Sequence, residues 1–248
     1  MNEVTVLLNG YKRGQNLTSQ IEAINNQTVK PKEIMLWYNY PGDKSLFNYD
    51  VVYRTAAAIN NRNYGVWARF AFALNARTKY ICVFDDDTIP GNKWLENCLN
   101  TIQTHRGLLG TIGLICHRDN YFNHMRIGWA NPNEKVERVD LVGHSWFFER
   151  EFLTAMWSEL PPIESSFLCG EDMHFSYTLQ KYKGLNTYVP PHPKDDTSMW
   201  GSLQGWQLGV DQHAISHMHL NQHNQTFRIE VDTYFKRLLS NGWKLVTD

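Results

Sequence analysis

The feature that most constrains this chain is Asp85-Asp86-Asp87, three consecutive carboxylates that directly follow the apolar run Tyr80 to Phe84 (YICVF). A short apolar, aromatic run of this kind predicts a buried strand. Adjacent carboxylates repel one another, so a folded chain tolerates them where they face water or share a cation. The carboxyl edge of an open α/β sheet is also where such folds place their ligands. Hard oxygen ligands suit Mg²⁺ or Mn²⁺, which take one or two carboxylates and complete their shell with water and phosphate oxygens. In an extended segment Asp85 and Asp87 would point one way and Asp86 the other. The plain alternative is a solvated turn in which Asp87 or Thr88 caps the helix expected from about Lys93.

The surrounding pattern gives that strand its company. Val4 to Leu8 and Glu33 to Tyr38 predict buried strands, with a turn signal at Asn39-Tyr40-Pro41-Gly42, and Tyr49 to Tyr53 predicts a third strand. Between them Leu17 to Asn26 is helical in period, with Asn16 or Thr18 as caps, and Val66 to Leu74 is an apolar helix. The alternation predicts a mostly parallel sheet with helices on both faces. Further on, Leu109 to Cys116, Val139 to Phe148 and Thr187 to Val189 predict strands, and Glu149 to Trp157 and Asp172 to Tyr182 predict helices. His192 to Asn224 is expected to form long loops that order over a ligand. A closing helix, Arg228 to Leu239, is expected to pack with Ile229, Tyr234, Phe235 and Leu238 on one face.

Charge narrows the function. Lys plus Arg number 24 against 25 Asp plus Glu, a net charge of -1, so there is no broad basic field for a nucleic acid. No apolar run approaches the length needed to cross a bilayer, and no signal peptide is apparent at Met1, although the chain could be a domain of a longer protein. Cys82, Cys98, Cys116 and Cys169 are widely spaced without a CxxC pair. They are expected to be reduced, packed residues of a cytoplasmic protein. Aromatic residues make up 13%, enough to supply both core and sugar-stacking surfaces.

The run VFDDDTIP, between a strand and a helix, resembles the DxD motif of nucleotide-sugar glycosyltransferases with the GT-A fold. Cys169-Gly170-Glu171-Asp172, opening a helix, resembles the acidic ED motif of the same fold, and the chain is similar to family 2 and exostosin-like members. The segments Leu8 to Arg13 and Met35 to Asn39, with Arg69-Phe70, resemble donor-binding loops. The resemblance spans roughly residues 4 to 190 and implies one GT-A domain. About residues 1–90 would bind the nucleotide sugar, and about 91–248 the acceptor.

The resemblance implies a metal-dependent transfer of sugar from a nucleoside diphosphate donor, a UDP-sugar, to a hydroxyl of a saccharide acceptor. Inversion is expected if Asp172 is the base, and retention if the exostosin-like relation holds. Asp87 would contact Mn²⁺ or Mg²⁺, with Asp85 and His192 as further ligands; His217 and His219 compete with His192. Tyr11, Arg13, Asn39, Asn63, Arg69, Asp85 and Asp86 would bind the donor nucleotide, the arginines meeting phosphates or holding the acidic site in place. Asp172 and Glu171 are the catalytic candidates, set at a helix start that favours ionisation and beside each other, which opposes it. His144, Trp146 and Trp200 would bind the acceptor, with Trp206 nearby, while Trp94 and Trp157 are expected in the core. Two other classes compete. A haloacid-dehalogenase-like phosphatase also uses a strand-end DxD, but on the first strand, and a non-catalytic carbohydrate-binding protein would leave the ED helix without a purpose. Gly10 and Gly14 do not make the GxGxxG of a dinucleotide-binding enzyme.

Overall fold

A computed structural model describes residues 3–39, 53–57, 63–162, 168–203, 205–209 and 222–248. Its centre is a nine-stranded sheet. The first half is parallel, ordered β3 (Tyr53–Ala57), β2 (Glu33–Asn39), β1 (Val4–Gly10), β4 (Tyr80–Phe84). Beyond β4 the sheet is mixed: β8 (Leu141–Glu149), β5 (Gly107–His117), β9 (Asn186–Val189) and β7 (Glu137–Val139) follow, with β6 (Asn120–Ile127) paired to β5.

Period-two alternation sorts the strand residues onto two cores. Val4, Val6 and Leu8 of β1 and Tyr80, Cys82 and Phe84 of β4 pack with α1 (Leu17–Asn25) and α3 (Trp94–Thr104). Leu7, Ile81 and Val83 face the opposite side, against α2 (Ala68–Phe72), α4 (Leu153–Met156), α5 (Glu171–Lys183) and α7 (Gln222–Ser240). A short helix, α6 (Gly205–Gly209), follows the 3₁₀ turn Thr197–Met199 in the stretch expected to be loops. The four cysteines are free and buried, Trp94 is fully buried and Trp157 partly so.

Several elements differ from the sequence pattern. Strand β3 begins where the expected strand ends, and residues 49–52 and 40–42, with the expected turn, lie outside the described residues. β6 was not foreseen. Ile229 is 67% exposed, because the seam of α7 runs through Val231, Tyr234, Phe235 and Leu238, spaced three, four and seven apart, and Ile229 stands off it. The expected helix at Glu149 is a 3₁₀ turn, Arg150–Phe152, leading into α4. Among the described residues no helix is long and apolar enough to cross a membrane.

Candidate active site

The three aspartates do not continue β4. Thr88 N donates to Asp85 O at 3.2 Å, closing a turn, so strand alternation does not apply and all three carboxylates line one cavity. They take different partners within it. Asp85 is paired with Arg69, Asp86 accepts from Arg13 Nη1 at 2.7 Å, and Asp87 stands 3.6 Å from Arg13 Nη1 and 3.9 Å from His144 Nδ1. Turn carbonyls are held from α1 and the residue before it: Gln20 Nε2 donates to Asp85 O at 2.6 Å and Thr88 O at 3.0 Å, and Asn16 Nδ2 to Asp86 O at 3.0 Å. Asn16 therefore spends its side chain on the turn and not on capping α1. Neither Asp87 nor Thr88 caps α3, whose N-cap is Lys93; Thr88 Oγ1 donates to His144 O at 3.0 Å.

Both arginines are buried, Arg69 with 2% exposure, and hold carboxylates, so the acidic site is kept in place by them. Arg69 Nη2 also donates to Glu171 Oε1 at 2.8 Å, joining the acidic turn to the start of α5. Gly170, with φ +91°, takes the cap position of α5, where it has no side chain to offer; Asp172 Oδ1 accepts from Met173 N at 2.6 Å in the first turn, and Glu171 turns to Arg69. A Cβ on Gly170 would lie 2.8 Å from the Tyr234 ring, which packs α7 against this helix start.

Burial dominates the acid–base properties here. It raises Asp172 to about 6, opposed by the Met173 N–H and Arg69. It raises Glu171 to about 8, with the neighbouring Asp172 adding and Arg69 opposing. Asp86 is lifted to about 6 by burial against the pull of Arg13, and burial also raises Asp87. The upward shift of Asp172 is in the direction that suits a carboxylate to accept a proton near neutral pH.

The cavity measures about 330 Å³. At one end Asn39 Nδ2 donates to Asn63 Oδ1 at 2.6 Å and Asn63 Nδ2 to Tyr11 Oη at 3.2 Å, a polar rim beside the acidic turn. At the other end β5, β6 and α7 present Ile112, Leu114, Tyr121, Phe227 and Val231. Tyr11, Arg13, Asn39, Asn63, Arg69, the three aspartates, His144, Trp146, Glu171 and Asp172 all line it. Trp146 does so from the core, 2% exposed, with the Arg69 guanidinium 4.3 Å from its ring centre.

Two expected residues fall elsewhere. His192 is fully buried between Trp94 and Trp200; its Nδ1 donates to Pro190 O at 2.9 Å and its Nε2 accepts from Gly201 N at 3.2 Å. With both ring nitrogens engaged and burial lowering it to about 4, it is a neutral packing residue and leaves the metal-ligand set. Trp200 donates Nε1 to Pro193 O at 2.7 Å and packs at a tilt against His192, away from the cavity lining, so the rigid prolines fix a structural cluster and not an acceptor platform. His217, His219 and the Trp206 side chain lie outside the described residues.

Others were missed. Gln20 is fully buried on the apolar stripe of α1 with Leu17 and Ile24, and a lone glutamine at that spacing was the available signal. Trp129 and Tyr121 line the cavity from the second half of the sheet, and Gly209 lies against the turn, where a Cβ would stand 2.4 Å from Asp87 Oδ2. Nothing in their local sequence points there.

Among the described residues no group of three or more His, Cys, Asp or Glu side chains is arranged to hold a metal ion by itself. The acidic turn nevertheless fits Mg²⁺ or Mn²⁺ shared with a diphosphate. Asp87 accepts a hydrogen bond from Thr88 Oγ1 at 3.4 Å and one from the backbone, and its carboxylate offers hard oxygen at the cavity wall, which suits cations that keep positions for phosphate and water.

A parallel half-sheet carrying an acidic turn at its edge, joined through one arginine to an acidic helix start in a mixed second half, defines the GT-A fold. The comparisons agree. The model of "Glycosyl transferase family 2" matches residues 5–156, more than half of the chain, which therefore belongs to glycosyl transferase family 2. No curated protein sequence matches it significantly. Its structure resembles residues 1–349 of S. aureus TarS, solved with UDP, at TM-score 0.54 and 15% identity over 79% of this chain and 59% of that one. It also resembles the mannosyltransferase PcManGT from Pyrobaculum calidifontis, solved with GDP-Man and Mn²⁺, at TM-score 0.50 and 16% identity over 97% and 71%. The chain thus spans about 59% of the TarS fragment and 37% of another TarS structure.

Proposed function

We propose that the chain transfers a sugar from a nucleoside diphosphate sugar, a UDP-sugar, to a hydroxyl of a saccharide acceptor, with inversion at the anomeric carbon. The observation that carries this is the Arg69 bridge, which puts the acidic turn and the ED helix on one cavity wall. The Asn39–Asn63–Tyr11 rim would receive the base and ribose. Asp87, aided by Asp85, would hold Mn²⁺ or Mg²⁺, which when bound neutralises charge developing on the leaving diphosphate. Asp172 would take the proton of the attacking acceptor hydroxyl, and Glu171, tied to Arg69, would keep Asp172 and the acidic turn in register. A single base acting as the bond breaks corresponds to inversion. His144 and the apolar end of the cavity would receive the acceptor.

Isothermal titration with UDP and Mn²⁺ tests the reading. Metal-dependent binding that is lost in Asp87→Ala supports it, and the absence of binding to any nucleotide would sink it. The anomeric configuration of the product, read by NMR, decides between inversion and retention.

A further inference from the structure

His144 is held in a backbone conformation that L side chains rarely adopt, with φ +65°. Trp129, whose ring lies 5.3 Å from the imidazole, has φ +42°. Such residues persist where their surroundings impose them, and they cluster at working sites. Two observations identify what imposes His144. First, β8 bulges there: Ile112 of β5 pairs with Gly143 and Gly110 with Trp146, so β8 carries one residue more than β5. A bulge re-aims the local backbone. Second, the carbonyl it re-aims accepts both the Asp85 N–H and the Thr88 hydroxyl, each at 3.0 Å. The acidic turn is therefore latched to β8 through one oxygen.

Trp129 stands at the corner of a tight turn closed by reciprocal Gly128 and Asn131 hydrogen bonds of 2.8 Å, and its indole lies beside the imidazole. The imidazole Nδ1, without a hydrogen-bond partner among the described residues, faces Asp87 at 3.9 Å. We propose that His144 is a positioning residue: its left-handed backbone, buttressed by Trp129, aims the carbonyl that fixes Asp85 and Thr88 and so sets where the Asp87 carboxylate stands. The functional part of this inference rests on the reading that the turn binds a nucleoside diphosphate with a cation.

The test compares His144→Gly, His144→Asn and His144→Val in the full chain. Glycine and asparagine adopt positive φ readily, and a β-branched residue does not. Exchange of the Asp85 amide, followed by NMR, reads the latch, and UDP affinity in the presence of Mn²⁺ reads its consequence. We expect Asp85 to exchange at least tenfold faster in the valine variant than in the glycine and asparagine variants, with UDP affinity at least tenfold weaker in the same order. Equal protection in all three, or equal loss in all three, overturns the proposal. If the unmutated protein binds no nucleotide, the reading of the site fails while amide exchange still decides the latch. Should the valine variant not fold, Thr88→Val removes one of the two bonds and leaves φ alone. Faster Asp85 exchange is then expected, and unchanged exchange would overturn the proposal.

Discussion

Glu171 and Asp172 are neighbours in the sequence with separate tasks in the structure. Glu171 is committed to Arg69, and Asp172, on the cavity wall, accepts the Met173 N–H and is the residue proposed to take the proton of an incoming hydroxyl. Replacing Asp172 by Asn should therefore lower kcat by about 10²–10⁴-fold, the usual worth of a positioned base, while UDP affinity stays near its original value. Near-normal turnover would remove Asp172 from the chemistry. The pH profile carries the same assignment. A folded-state pKa raised to about 6 leaves the base ionised above that value, so kcat/KM should fall as pH drops through about 6, a limb shared with the coupled Glu171. Asp172→Asn should shift that limb, leaving the part that belongs to Glu171. Both residues were legible as a pair of acids opening a helix. Their division of labour was not, because it depends on Arg69, 102 positions from Glu171.

At the scale of elements, β1, β2 and β4 of the parallel half were readable because they are short, apolar and largely buried, and each pairs with its neighbours in register, whereas β3, which carries Arg54 and Thr55, was placed four residues early. β6 was not readable, since Asn123 interrupts the alternation of Tyr121, Met125 and Ile127 and Asn120, His124 and Arg126 make the other face polar; it is held by its ladder to β5, by Tyr121, Phe122 and Ile127 against the core and by the approach of α7. The support that α1 gives the acidic turn was hidden for a different reason. Gln20 looks like one polar residue on an apolar stripe, and only the packing of α1 against the sheet brings its amide to two carbonyls. Gln20→Met should therefore destabilise the fold by about 2 kcal/mol, because the Asp85 and Thr88 carbonyls lose a buried donor. Urea unfolding measures this. A change within about 0.5 kcal/mol would mean that water replaces the amide.

The whole molecule has almost no net charge, and its site arginines are already taken: Arg13 faces Asp86 and Asp87, and Arg69 faces Asp85 and Glu171. Among the described residues the third arginine of the cavity lining is Arg126, on the second half of the sheet; on the proposed reading a bound cation would therefore supply the attraction for a diphosphate beside the acidic turn, over a distance of a few ångströms. Interactions that short and that enclosed are screened far less by salt than those of scattered surface lysines. UDP affinity with saturating Mn²⁺ should then change by less than about threefold between low and moderate KCl, and chelation with EDTA should remove binding at every salt concentration. A steep decline with salt, of the kind that dispersed basic residues produce when they release counterions from a polyanion, would show that phosphate is held by the surface and not by the acidic turn.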